Sequence, residues 1–526
     1  MQQIELILGL LVAVAVLAIL ARKIRVAYPI LLVLGGLVLG LIPGLPELQL
    51  DPEVVFLVFV PPLVYAAAVT TPWRDFRANL RPILFLAIGL VLATMLAVAA
   101  VAHLAIGGLG WPVAFVLAAI VAPTDTVSIT AITEHLRIPR RIVIILEGES
   151  LVNDAVALVA YRMAVAAVVA GSFSASRAGV WFLWAAAGGV VIGLAVGWLV
   201  VWLRGNLHHP PVEIIISLLT PFGAYLPAEA VGASGVLAVV ATGLYVGRCG
   251  LDVLSARTRV HGFAFWQVLV FLLNGLVFVL IGLRLRAIVN ELAGLSWTTL
   301  VGYAALVTAV VIVVRLVWVF PATYLPRVLS PGLRQRDPSP PWRQVVVVGW
   351  AGMRGIDSLV TAMALPFLTS AGSPFPERSL IVFLSFGVIL ATLVPEGLSL
   401  PVLIRRLKLR AGEVEEREEA LARLAAAKAA LARLDQLAAE DGAPRDLIDY
   451  LRALYQRRSK LFQARLDQGD AKGHEEYASS ARRVRKEILE AERKAVRELR
   501  DREEISDDVL REIEEDLDLE ELRLEE

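Results

Sequence analysis

Runs of about 20 apolar residues, the length that crosses a bilayer's hydrocarbon core, recur through residues 1–410 of this chain. Such runs fold as spanning helices, because a helix pairs its own backbone groups where water is absent. The sequence is 57% hydrophobic with mean hydropathy +0.69, too apolar for a soluble protein of 526 residues. Its balanced net charge hides a split: residues 1–410 hold 28 Lys+Arg against 18 Asp+Glu, and residues 411–526 hold 22 against 32. The first stretch reads as a membrane domain and the second as an acidic, soluble one. The single cysteine, Cys249, rules out an intramolecular disulfide and offers no metal site. The opening MQQIE has neither a basic n-region nor a small-residue cleavage site, so it reads as the start of the first span rather than a signal peptide.

Pro, Gly and charge divide the membrane domain into thirteen spans, at about 4–21, 27–42, 53–69, 82–105, 111–134, 142–170, 178–203, 211–226, 231–247, 261–283, 297–322, 344–368 and 379–404. The odd-numbered connections hold 3, 3, 3, 1, 3 and 4 Lys/Arg, including Arg22, Lys23, Arg25, Arg74, Arg77, Arg81, Arg140 and Arg141. The even-numbered ones hold 0, 0, 1, 0, 2 and 1. Seventeen against four is a positive-inside bias, which sets the N-terminus outside and the tail in the cytoplasm of an inner-membrane protein. An odd count also places two six-span halves around span 7 in opposite orientations, the inverted repeat of secondary transporters. Under that pairing span 5 corresponds to span 12, and both are interrupted, by Ala122-Pro123-Thr124-Asp125-Thr126 and by Trp350-Ala351-Gly352-Met353-Arg354-Gly355. Unwound backbone at membrane depth is tolerated where it is buried or lines a cavity. A kink without a ligand is the alternative for each break alone; two breaks in corresponding positions, both beside charges, favour a site.

An ionisable side chain near the bilayer centre costs about 2.5–3.5 kcal/mol even on a lenient scale. Yet RIVIILEGESLVNDAVALVAYR, residues 141–162, carries Glu149 and Asp154 on one span. Glu149, Ser150, Asn153 and Asp154 share one helical face. Asp154 lies about 20 Å from the helix start at 1.5 Å per residue, near the midplane. Asp125 sits at a comparable depth beside Thr124, Thr126 and Ser128. Carboxylate, hydroxyl and carbonyl oxygens suit hard cations. A carboxylate that binds either a proton or an alkali cation couples their fluxes by competition; structural ion pairing between helices is the alternative for any one acid. Arg354 needs a partner in low dielectric, which Glu149 or Asp125 could supply.

PTDTVS (123–128), EGESLVNDA (147–155), FLLNGLVFVLIGL (271–283) and GMRGIDSL (352–359) resemble the bacterial NhaP-like sodium/proton antiporters, the group that includes the animal sodium/proton exchangers. The likeness extends over residues 1–410. It implies an all-α integral membrane fold of 13 transmembrane helices with broken, crossing helices 5 and 12. It further implies a homodimer, with a dimerisation part from spans 1–3 and 8–10 and a moving core part from spans 4–6 and 11–13. By the same resemblance Asp154 binds the ion and the proton, Thr124 and Ser150 contribute cation oxygens, Asp125 lies at the crossing with Asn153 shaping the site, and Glu149 pairs structurally with Arg354. The Asn153-Asp154 pair implies one-for-one exchange. Two departures stand out. Where many members carry a span-3 Glu, VPPLVYAAA places Ala66, after Tyr65. Where GMRG is usually followed by apolar residues, this chain has Asp357 and Ser358. Asp357 either compensates for the missing acid, alters ion choice, or pairs with a nearby Arg.

Asn274 reads as a hydrogen-bonding position between helices, Arg162 and Arg315 as either snorkelling or paired, and His208-His209 as either a pH sensor or a solvated loop. No phosphate loop, nucleotide fingerprint or cofactor motif is visible, which argues against direct ATP use, and nothing points to nucleic acid. Beyond Arg405-Arg406-Leu407-Lys408, Leu421, Leu424, Leu431, Leu434 and Leu437 mark one face of an Ala- and Glu-rich helix ended by Asp441-Gly442-Ala443-Pro444. Further helices follow at about 445–468, 474–502 and 506–521, the last capped by Ser506-Asp507-Asp508. This cytoplasmic domain, 411–526, reads as an assembly module or a regulator. The expected function is electroneutral exchange of Na+, with Li+ or K+ as other candidates, for H+, serving sodium and pH homeostasis. A K+/H+ antiporter, a membrane sensor signalling through its tail, and a cation channel are the competing readings.

Overall fold

The computed structural model describes residues 2–24, 27–40, 52–125, 138–170, 175–207, 209–250, 253–292, 294–370, 372–409, 413–439, 444–467 and 471–525. Thr126, Ser128, His208 and Asp441-Gly442-Ala443 lie outside them. The described residues form helices and no named strand, in two compact units, Met1–Arg410 and Ala411–Glu526.

In the first unit, α1 (Gln2–Ile24), α2 (Tyr28–Gly40) and α3 (Pro52–Thr70) are followed by a short α4 (Trp73–Ala78) and by α5 (Leu80–Ala105), which loosens into a π-helix at Phe85–Leu90. Then come α6 (Trp111–Val121), α7 (Arg140–Ala170), α8 (Ala175–Gly205), α9 (Pro210–Ala230), α10 (Gly235–Cys249), α11 (Ala256–Glu291) and α12 (Trp297–Leu329). A short α13 (Pro331–Arg336) precedes α14 (Trp342–Trp350), α15 (Ile356–Met363) and α16 (Arg378–Arg406). Six of the described helices are long and apolar enough to cross a membrane.

The helices pack in two neighbourhoods. α2 lies along α11, and α10 lies along both α3 and α8; α5, α6, α7, α12, α14 and α16 pack among themselves. Small residues set the closest approaches. A Cβ at Gly193 of α8 would stand 2.2 Å from the Ala238 carbonyl of α10, and Thr242 Oγ1 donates to the Gly193 carbonyl across the same seam at 2.8 Å. Exposed positions on the long helices are apolar at Leu96, Leu199 and Val317.

The second unit consists of α17 (Glu413–Ala439), packed on α18 (Arg445–Leu466), and α19 (Ala471–Asp501), packed on α20 (Asp507–Glu525). The buried face of α17 runs through Ala420, Leu424, Ala427 and Leu434, whereas Leu421 is exposed. Of the leucine stripe expected there, Leu424 and Leu434 are buried, Leu431 and Leu437 half-buried and only Leu421 is exposed, with Ala420 and Ala427 completing the contact. The Ser506 cap is present, its Oγ accepting from Val509 N at 3.4 Å.

Candidate ion-binding site

Helices end at both of the expected interruptions. α6 stops at Val121; Ala122 N still donates to the Ala118 carbonyl, but Pro123, whose ring nitrogen has no proton to donate, and Thr124–Asp125 lie outside the helix. α14 stops at Trp350, and Ala351–Gly355 run unwound to α15. The two unwound segments meet: Asp125 N donates to the Met353 carbonyl at 2.9 Å. The approach depends on glycine, since a Cβ at Gly355 would fall 1.7 Å from Asp125 Oδ2.

α7 supplies the remaining face. Asp154 has fourteen residues of this 31-residue helix before it and sixteen after, so it sits at mid-helix. Asn153 Nδ2 donates to Thr124 Oγ1 at 2.9 Å, and Thr124 Oγ1 donates to Glu149 Oε1 at 3.0 Å. This relay ties the break to α7. Two acceptors are left over: Asn153 Oδ1 and Asp154 Oδ1 are buried and receive no hydrogen bond among the described residues. The Asp154 carboxyl lies within hydrogen-bonding reach of Asp357, in the first turn of α15. Ser150, Asp125 and Ser358 are buried around them. The donors are mixed oxygens, and among the described residues no three His, Cys, Asp or Glu side chains gather as a metal cluster.

The structural ion pair differs from expectation. Glu149 pairs with Arg315 of α12, through Nη1–Oε1 at 2.5 Å and Nη2–Oε2 at 3.0 Å, both side chains 1% exposed. Arg315 also donates to the Val348 and Ala351 carbonyls, stitching α12 to the start of the break. Arg354, expected as the partner of Glu149, is held instead by carbonyls, those of Val121 and Gly352. Unwinding leaves carbonyls without intrahelical donors, and the two guanidinium groups satisfy them. Glu396 and Thr392 of α16, unremarked in the sequence, accept from Gly352 N at 3.2 Å and Arg354 N at 3.1 Å.

Tyr65 is not brought to the site: it packs against Trp266 of α11, the rings tilted by 50° with centroids 5.3 Å apart. Asn274 is fully buried, and its amide has no hydrogen-bond partner among the described residues. Arg162 pairs, with Glu229 and with Tyr225 Oη at 3.1 Å.

Around the crossing, three buried acids (Asp125, Glu149 and Glu396) and two half-buried ones (Asp154 and Asp357) face two buried arginines, Arg315 and Arg354. Only protons or bound cations can offset the excess in low dielectric. A family model described as "Sodium/hydrogen exchanger, transmembrane" matches residues 10–406. The chain belongs to the sodium/hydrogen exchanger family. An uncharacterized Na(+)/H(+) exchanger of Mycobacterium bovis is 39% identical over 524 residues, 98% of this chain and 95% of that protein. A sodium, potassium, lithium and rubidium/H(+) antiporter of Bacillus pumilus is 35% identical over 414 residues, 76% of this chain and 61% of that one. The structure of a sodium proton antiporter from Methanocaldococcus jannaschii at pH 8 shares the fold with a TM-score of 0.59 at 20% identity, over 75% of this chain and 98% of that one. The exchanger is a multi-pass membrane protein that antiports a monovalent cation against protons, and its family is one of transporters.

Proposed function

We propose that the exchanger carries Na+ outward against H+ by alternating access, and that Asp154 together with Asp357 forms the exchanging group. The observation that carries this reading is the pair of donor-free acceptors, Asn153 Oδ1 and Asp154 Oδ1, with the Asp357 carboxyl in reach. Two carboxyl groups hydrogen-bond only if one of them holds a proton, so the proton-loaded pair carries one negative charge. Replacing that proton by Na+ leaves two carboxylates and one cation, again one negative charge. One-for-one, electroneutral exchange follows from that balance. Asp357 thereby stands in for the acid missing at Ala66, a role supported by the packing of α15 on α3. Ser150 contributes an oxygen, Thr124 orients Asn153, and Asp125 keeps the crossing electronegative.

Thirteen spans, N-terminus outside and tail in the cytoplasm, are the topology we infer, on the loop-charge bias. The two packing neighbourhoods support a dimerising part (spans 1–3 and 8–10) and a moving core (spans 4–6 and 11–13), working as a homodimer in the cell membrane. The tail is read as an assembly or regulatory module. K+/H+ exchange is the second reading, because the Bacillus pumilus relative is named for potassium as well as sodium. The test is full-length protein in liposomes with an inside-acid pH gradient and a pH-reporting dye, given Na+, Li+ and K+ in turn. Collapse of the gradient by Na+ is expected; collapse by K+ alone moves the reading to the second ion, and no collapse by any ion refutes antiport.

A further inference from the structure

Away from the crossing, three arginines converge on one carboxylate. Asp337, in the loop after α13, accepts from Arg81 Nη2 at 3.1 Å, Arg141 Nη2 at 2.8 Å and Arg327 Nη2 at 2.7 Å. The arginines come from the first turns of α5 and α7 and the last turn of α12. Three guanidinium groups on one carboxylate leave two uncompensated positive charges. Part of that hydrogen-bonding capacity is unspent: Arg81 Nε and Nη1, both buried, have no acceptor among the described residues. The cluster is still reachable, with 28% of the Arg81 side chain and 39% of the Arg141 side chain exposed.

Arg141 and Arg327, with Thr323 and Gln344, line a cavity of about 50 Å3 whose remaining walls are apolar and include Phe85, Ile145, Val345 and Val348. Beside it α5 presents Leu80, Leu84, Phe85 and Ile88 to the outside. A charged mouth joined to an apolar cleft at the end of spanning helices matches one class of molecule. A free anion would leave the cleft unfilled, and an apolar molecule would leave the charge unmatched. We propose that Arg81, Arg141 and Arg327 bind the phosphodiester of an anionic phospholipid, the first methylenes of one acyl chain entering the cleft between α5, α7, α12 and α14 and the rest of that chain lying along Leu80, Leu84, Phe85 and Ile88 of α5. Arginine suits a phosphodiester because its fork makes two parallel charge-assisted bonds. Basic pockets between transmembrane helices are a known form of lipid recognition. The bound lipid would hold together the ends of the helices that carry Glu149, Asp154 and Arg315, so it acts on the transport core without touching the exchanging carboxylates.

The test uses full-length, delipidated protein in neutral detergent, titrated with dioctanoyl phosphatidylglycerol, dioctanoyl phosphatidylcholine and inorganic phosphate. Saturable binding of phosphatidylglycerol is expected, at least tenfold tighter than phosphatidylcholine and not displaced by millimolar phosphate. Arg141→Gln is expected to weaken it at least tenfold, and Val348→Trp, which fills the cleft and keeps every arginine, to do the same. Equal affinity for the two lipids overturns the proposal. Displacement by phosphate alone overturns the lipid as ligand in favour of a free anion, and undiminished binding in both variants removes the site from this cluster.

Discussion

Removing the charge of Glu149 tests the buried framework most severely. In Glu149→Gln the hydrogen bond from Thr124 can survive, but Arg315, 1% exposed, keeps its charge with no counter-ion. Breaking a buried pair from one side costs about 3–5 kcal/mol. Unfolding entropy is about 2.1 cal/mol/K per residue, or about 0.9 kcal/mol/K over the 410 residues of the membrane unit, so Tm should fall by about 4–6 °C. The assay is loss of the monodisperse size-exclusion peak on heating in detergent, for Glu149→Gln, Arg315→Gln and the double variant. The double variant removes both charges and is expected to be destabilised by less than the sum of the singles. It is not expected to recover fully, because the Val348 and Ala351 carbonyls lose the donors that Arg315 supplies. The same cycle with Arg354→Gln should show weaker coupling. Additive losses for Glu149 with Arg315, together with strong coupling to Arg354, would refute the pairing.

Gly355→Ala should cut exchange at least tenfold while the protein still inserts, since the new Cβ meets Asp125 Oδ2 and forces the broken segments apart; wild-type flux in this variant would show that the crossing tolerates separation. Asp337→Asn should lower stability by about 1–3 kcal/mol at neutral pH through weakened charge-assisted bonds. Burial raises the Asp337 carboxyl's pKa, but the hydrogen bond from Arg141 and the charges of Arg141, Arg327 and Arg81 outweigh it and hold the group below its ordinary 3.8. A depressed carboxylate stabilises above its unfolded pKa and loses that contribution as pH falls through the folded value. The Tm difference between wild type and Asp337→Asn should therefore be constant from about pH 5 to 8 and close only in stronger acid; a difference that closes near pH 6 would contradict the arginine cluster as its cause.

The sequence displayed the helices of the membrane unit because hydropathy and its Pro, Gly and charge punctuation are local signals. It displayed the breaks for the same reason: Pro123 and the glycines at 352 and 355 disrupt helical pairing wherever they sit. Helical spacing also placed Glu149, Ser150, Asn153 and Asp154 on one face at one depth. Which arginine Glu149 meets was not legible, because Arg315 lies 166 residues away on another helix and spacing says nothing about neighbours in space. One signal did exist. Arg315 is about 27 Å from the start of α12 and about 21 Å from its end, too deep to snorkel, so it required a buried partner. Glu396 and Thr392 gave less warning, since their role is to receive donors freed by unwinding in another span. In the tail the stripe missed Ala420 and Ala427, because alanine takes part in close helix packing yet contributes little to an apolar pattern.

The central claim is that the proton and the cation exchange on the Asp154 carboxyl, and ²²Na+ uptake into proteoliposomes driven by an outward proton gradient tests it most directly. Wild-type protein should accumulate the isotope, while Asp154→Asn, folded and reconstituted to the same density, should stay at the level of protein-free liposomes. Gradient-driven uptake that persists in Asp154→Asn would contradict the account and move the carrier role to Asp125 or Asp357.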